Sequence, residues 1–163
     1  MKIRGFILAV ALMFAVILGF VPGLKTVMTV HAADNSGVCS SCGNIAWELE
    51  GTTLTIFKAE GASSGDMCDE CKSQWKNLNY AKVVIKPYVT TICDEAFRNC
   101  LTLVNATVPA SVKSIGWGAF SGCENMTTIT LSEGLTNIGS GAFNSCYNLA
   151  NITIPKTVTS IGA

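Results

Sequence analysis

One periodicity constrains this chain more than any other feature: over its second half the apolar positions recur with a period of 23. Ile92, Ile115, Ile138 and Ile161 keep that interval, as do Phe97, Phe120 and Phe143, and Cys100, Cys123 and Cys146. Ala96, Ala119 and Ala142 precede the phenylalanines. Val89, Val112, Leu135 and Val158 hold one further apolar position, and Leu103, Met126 and Leu149 another. Glycine follows the isoleucine at 116, 139 and 162, with Cys93 in its place in the first copy. A unit this short cannot bury its apolar face alone, so successive units must stack into a continuous core.

Each unit reads as one turn of a coil. Segments 105–108, 128–131 and 151–154 alternate polar and apolar residues, the two-residue period of a half-buried strand. Pro109 and Pro155 close two of these strands, and Ser132 takes the third place. A second short extended piece follows, residues 112–115 and its copies. Gly116, Gly139 and Gly162 are expected to bend the chain at positive φ. Ala-Phe-x-x-Cys is expected to form a single helical or 3₁₀ turn leading to the next strand. The phenylalanines then make one interior ladder and the isoleucines another.

Three segments carry a family resemblance: Val89-Thr-Thr-Ile-Cys-Asp-Glu-Ala-Phe97, Val112-Lys-Ser-Ile-Gly-Trp-Gly-Ala-Phe120 and Leu135-Thr-Asn-Ile-Gly-Ser-Gly-Ala-Phe143. Each is followed by a cysteine three residues on. They resemble the BspA-type bacterial leucine-rich repeat. The resemblance covers residues 82–163 and extends more weakly to 44–75, where Gly51-Thr-Thr-Leu-Thr-Ile-Phe57 looks like the strand-rich leader of such proteins. It implies a strand-rich leucine-rich-repeat solenoid with short helical or 3₁₀ turns. It also implies a secreted or surface-attached protein that mediates adhesion and protein binding, with no catalytic residues.

Residues 1–32 read as an export signal. Lys2 and Arg4 precede an apolar run over residues 5–21, and Val30 and Ala32 suit a signal peptidase cutting after Ala32. Uncleaved, the segment would be a membrane anchor at the short limit for spanning a bilayer. Removal takes Lys2, Arg4, Lys25 and the lone histidine, His31, leaving eight basic against eleven acidic residues. A mature chain without histidine excludes Ser-His-Asp and Cys-His nucleophiles and any His-ligated metal. Its low charge density, 13% over the whole sequence, offers no basic footprint for nucleic acid.

Residues 33–81 form a cysteine-containing leader. Segments 45–50 and 53–57 alternate well across Gly51-Thr52, which predicts a β-hairpin covering the open end of the first repeat. Trp47 and Trp75 are expected in the core of this cap. Glu48 and Glu50 share one strand face, expected to be solvated rather than a hydrolase pair. Asn105, Asn125 and Asn151 match the glycosylation pattern, which repeat composition generates freely.

Cys100, Cys123 and Cys146 fall on successive turns as buried thiols, and Cys93 could pair locally with Cys100. The sharper chemical signal is Cys39-x-x-Cys42 and Cys68-x-x-Cys71, the two pairs separated by segment 43–67. This is close to the spacing of a Cys₄ zinc site, with a slightly longer stretch between the knuckles. Export makes two disulfides an equal alternative. A thioredoxin-like redox motif would need a βαβ setting that neither flank shows.

The function expected is a non-catalytic binding module for an extracellular protein. Its partner-binding face would be Asn105, Thr107, Thr128, Thr130, Asn151 and Thr153, the outward strand positions. Alternatives are the docking region of a larger secreted enzyme, or a cysteine-centred metal or redox module. The chain stops in mid-repeat, and the predicted strand face is about 300 Å² against ~800 Å² per partner in a standard interface. The sequence therefore predicts either a longer native protein or weak, multivalent binding.

Overall fold

The computed structural model describes residues 35–163; the predicted export signal over residues 1–32 lies outside the described residues. The strands are β1 (Ser36–Val38), β2 (Ile45–Glu50), β3 (Thr53–Lys58), β4 (Lys82–Ile85), β5 (Thr91–Ile92), β6 (Asn105–Val108), β7 (Ser114–Ile115), β8 (Thr128–Leu131), β9 (Asn137–Ile138) and β10 (Ser160–Ile161). A 3₁₀ helix, Asp69–Gln74, lies between β3 and β4. The strands make a six-stranded sheet, ordered β1-β2-β3-β4-β6-β8, and a four-stranded sheet, ordered β10-β9-β7-β5. Within the repeats all pairing is parallel and offset by one full period, such as Asn105 opposite Thr128 and Ile115 opposite Ile138. The period read in the sequence is thus the length of one turn of the coil.

The core follows the periodic positions. Ile92, Ile115 and Ile138 are buried, as are Leu103 and Met126. Phe97 and Phe120 stack with ring centroids 5.0 Å apart, and Phe120 and Phe143 with centroids 5.6 Å apart. The Cys123 thiol donates to the Phe97 carbonyl at 3.1 Å, and Cys146 repeats the bond to Phe120 at 3.2 Å. The small apolar thiol therefore also satisfies a backbone acceptor on the preceding turn.

Three expectations are corrected. First, Gly116, Gly139 and Gly162 do not carry positive φ. A Cβ on Gly139 would lie 2.6 Å from the Gly116 carbonyl carbon, and one on Gly116 would lie 2.6 Å from the Asp94 nitrogen. These glycines are required because successive turns touch backbone to backbone. Second, the phenylalanine segment is more than a helical turn. It keeps i→i+3 bonds, such as Cys123 N–H to Phe120 O at 3.2 Å, but Glu95 and Asn99 are left-handed, and so are Gly118 and Gly122. That alternation turns the N–H groups of 95, 97 and 99 onto the carbonyls of 117, 119 and 121, at 2.7–2.8 Å. The segment is a third ladder between turns.

Third, residues 151–154 form no strand. Among the described residues nothing packs over their far side, so Ile152 is half-buried and Ile154 exposed. The apolar burial that would offset ordering a strand is missing there.

The hairpin forms as predicted, with Gly51 at φ +59 in its turn. It caps by lengthening the sheet: β3 pairs in parallel with β4, and β1 adds antiparallel outside β2. The end of the aromatic ladder is covered by Trp75, which stacks on Phe97 at 6.0 Å and donates from Nε1 to the Ala96 carbonyl at 2.9 Å. Trp47 is buried too, with no partner for its Nε1 among the described residues. Among the described residues no helix is long and apolar enough to cross a membrane.

Candidate functional site

The alternation of the strands sends every second side chain outward, and the parallel register aligns these into rows across the long sheet. One row runs Glu50, Thr53, Lys82, Asn105, Thr128. The next runs Ser36, Glu48, Thr55, Val84, Thr107, Thr130. Asn105, Thr128 and Thr130 are exposed and Thr107 half-buried, with the Thr128 hydroxyl donating to the Asn105 side-chain oxygen. Asn151 and Thr153 are exposed but lie outside the sheet, for the reason given above. Glu48 and Glu50 lie on the same solvated face. The cap strands therefore extend the face past the repeats, which sequence spacing did not show.

The two cysteine pairs, far apart along the chain, are brought together at the other end of the cap. Cys39 and Cys42 sit on the β1–β2 connection, where Gly43 N–H bonds to the Cys39 carbonyl at 2.8 Å. Cys68 immediately precedes the 3₁₀ helix and Cys71 lies in it. Sγ atoms are 3.4 Å apart for Cys39–Cys68 and Cys68–Cys71, and 3.6 Å for Cys42–Cys71. All four lie within 4.8 Å of one another, with Cys39 and Cys71 buried and the other two half-buried.

The thiols differ in acidity. Burial raises Cys42, but the Asn44 backbone N–H and the neighbouring thiols outweigh it and bring the group down to about 7. Burial pushes Cys68 up to about 12, and burial with the adjacent thiols pushes Cys71 higher still. Cys93 is buried, and its burial raises it to about 12; Cys100 bonds instead to the Tyr80 hydroxyl at 2.9 Å.

Sequence reasoning missed a third cluster. Trp117 is half exposed, and the Arg98 guanidinium lies 5.4 Å from its ring centroid. Arg98 also pairs with Glu95, which accepts from Lys72 at 3.1 Å. The available signal was a break in the repeat: Trp117 stands where the other copies have Asp94 and Ser140.

A coil of short parallel strands whose Ile, Leu and Phe positions recur inward on every turn defines a leucine-rich-repeat solenoid. More specifically, the chain belongs to the BspA-type leucine-rich repeat family: residues 71–163 match the BspA type leucine rich repeat region in six copies. The chain is similar to the crystal structure of the T. pallidum leucine rich repeat protein TpLRR, with 28% identity and a TM-score of 0.50 over 71% of this chain and 50% of that one. A leucine-rich repeat protein from Bacteroides ovatus gives 25% identity and a TM-score of 0.50, covering 73% of this chain and 30% of that one. One from Eubacterium ventriosum, at 24% identity and a TM-score of 0.58, covers 77% of this chain and 39% of that one and agrees in fold. The chain spans half or less of the length of these structures. A search of curated proteins gave no match. Proteins of this family are repeat proteins that are in general not enzymes.

Proposed function

We propose that the protein is exported and binds an extracellular protein through the outward face of its long sheet, as an adhesion or docking module without catalysis. The observation that supports this reading most is the register of two outward rows, one crossing five strands and one crossing six, polar at every position but Val84. Such a face offers regularly spaced hydroxyl and amide groups on a rigid backbone, which favours directional hydrogen bonding at little ordering cost. The export half of the proposal rests on the charged, apolar and small-residue order of residues 1–32.

Two measurements test it. Mass spectrometry of protein recovered from the culture medium should give an N-terminus at Ala33; a full-length, cell-retained chain overturns export. Saturable binding to a panel of immobilised extracellular proteins should be lost in the double variant Thr107→Glu, Thr130→Glu. If that variant binds normally while Trp117→Ala does not, the sheet face is not the site, since exposed Trp and Arg carry interface energy out of proportion to their number.

A further inference from the structure

We propose that Cys39, Cys42, Cys68 and Cys71 form a structural zinc site with four thiolate ligands, which clasps the β1–β2 connection to the 3₁₀ helix. A regular tetrahedron with Zn–S bonds of ~2.3 Å has edges of about 3.8 Å. The closest Sγ separations, 3.4, 3.4 and 3.6 Å, and the 4.8 Å limit on all of them bracket that edge. The arrangement singles out no pairwise partner: Cys68 Sγ is equally close to Cys39 and to Cys71. A tetrahedral S₄ donor set suits zinc, whose d¹⁰ shell imposes no competing geometry.

The backbone around the site fits the charge that four thiolates would bring. Cys68 N–H donates to Cys71 Sγ at 3.3 Å. Such second-sphere donors orient and stabilise metal-bound thiolates. Gly43 takes φ +64, a left-handed conformation that folds the first pair back toward one point. Binding converts four thiols and Zn²⁺ into a tetrathiolate complex and releases four protons, with no change of oxidation state. Two disulfides would instead release four protons and four electrons and need an oxidant to take them.

The clasp bears on the repeats directly. Trp75, four residues after Cys71, is the first ring of the aromatic stack and hydrogen-bonds Ala96. An ion at the quartet therefore fixes the element that holds the first ring in place.

The test uses the full chain expressed with its own leader and recovered from the extracellular fraction without chelator or reductant. Elemental analysis should give one zinc per chain, and after chelation in denaturant all eight thiols should be reactive. Exchange for Co²⁺ should give the visible absorption of a tetrahedral tetrathiolate ion. Chelation should lower the melting temperature and shift tryptophan emission to the red. Zinc content should fall near zero in Cys39→Ser/Cys71→Ser and stay at one in Cys146→Ser, whose thiol belongs to the interior ladder. If the double variant fails to fold, cobalt titration and chelation of the unmodified chain decide the matter alone. A metal-free protein whose mass is short by four hydrogens, or one with eight free thiols, overturns the proposal. So does cobalt absorption lacking thiolate charge-transfer bands.

Discussion

Truncating Phe120 to alanine removes the middle member of the ring stack, and the structure gives the size of the effect. Phe120 is fully buried, between Phe97 at 5.0 Å and Phe143 at 5.6 Å. Removing a core phenylalanine costs about 3–5 kcal/mol, the range covering how far neighbours can relax into the space. Here they can relax little, because the turns above and below are held by backbone ladders on three sides. The loss of two stacked neighbours puts the cost at the upper end of that range, about 5 kcal/mol. For a domain of this size that is a fall in melting temperature of roughly 15 °C. Phe143→Ala is the internal comparison, since that ring is half-buried and stacks on one neighbour only, so about 2 kcal/mol is expected. Urea unfolding followed by far-ultraviolet circular dichroism measures both. Tryptophan emission should then separate from the dichroism transition in Phe120→Ala, because solenoid stability sums over neighbouring units and the variant weakens one junction. Equal costs for the two positions, or a Phe120→Ala variant within about 1 kcal/mol of the unmodified protein, would refute the interior ladder as the source of cohesion.

Gly116→Ala should destabilise by about 1–3 kcal/mol or more through backbone overlap with the preceding turn, whereas Gly118→Asn should be nearly neutral, since Asn tolerates left-handed φ and a Cβ there meets nothing nearer than 3.7 Å. Thermal melts of the two variants distinguish contact from conformation as the reason for glycine. Native-state alkylation at mildly alkaline pH should leave Cys93 and Cys123 unmodified, because burial raises both thiols well above that pH; peptide mapping showing rapid labelling would place them outside the core. The Thr90 hydroxyl holds the Asp66 carboxyl below its ordinary 3.8, and Lys72, then Arg98, hold Glu95 below its ordinary 4.5. Both contributions are complete above those ordinary values and are lost as pH falls through the lowered ones. Acid titration of the melting temperature should show a small decline there that Asp66→Asn and Glu95→Gln reduce.

The interior of the coil was legible because burial leaves a periodic trace: Ile115, Phe120 and Cys123 each face inward once per turn, and any polar substitute there would be costly. The purpose of Gly116 was not legible, since a tight approach and a positive φ select the same residue. The left-handed residues were hidden for the opposite reason. Glu95, Asn99 and Ser145 occupy that conformation beside glycines at equivalent positions, so no single residue type marks it. The cysteine quartet was visible as spacing, but the fold-back that brings its sulfurs together depends on β1 and the 3₁₀ helix, neither of which has a periodic signature. The cap's role as an extra turn was obscured because Trp75 precedes Phe97 by one position less than the repeat, which puts it out of register.

The uniform reach of these contacts has a consequence for how the chain acquires its shape. Nearly every bond between turns, from Thr127 to Val104 or from Glu95 to Trp117, joins residues about one period apart and no farther. As synthesis delivers the polypeptide from its N-terminus, the hairpin and Trp75 are available before any repeat is finished. Each later turn then finds its complete set of partners already in place behind it. Assembly can proceed in order of emergence, with loop-closure entropy that stays constant instead of growing with the length of the protein.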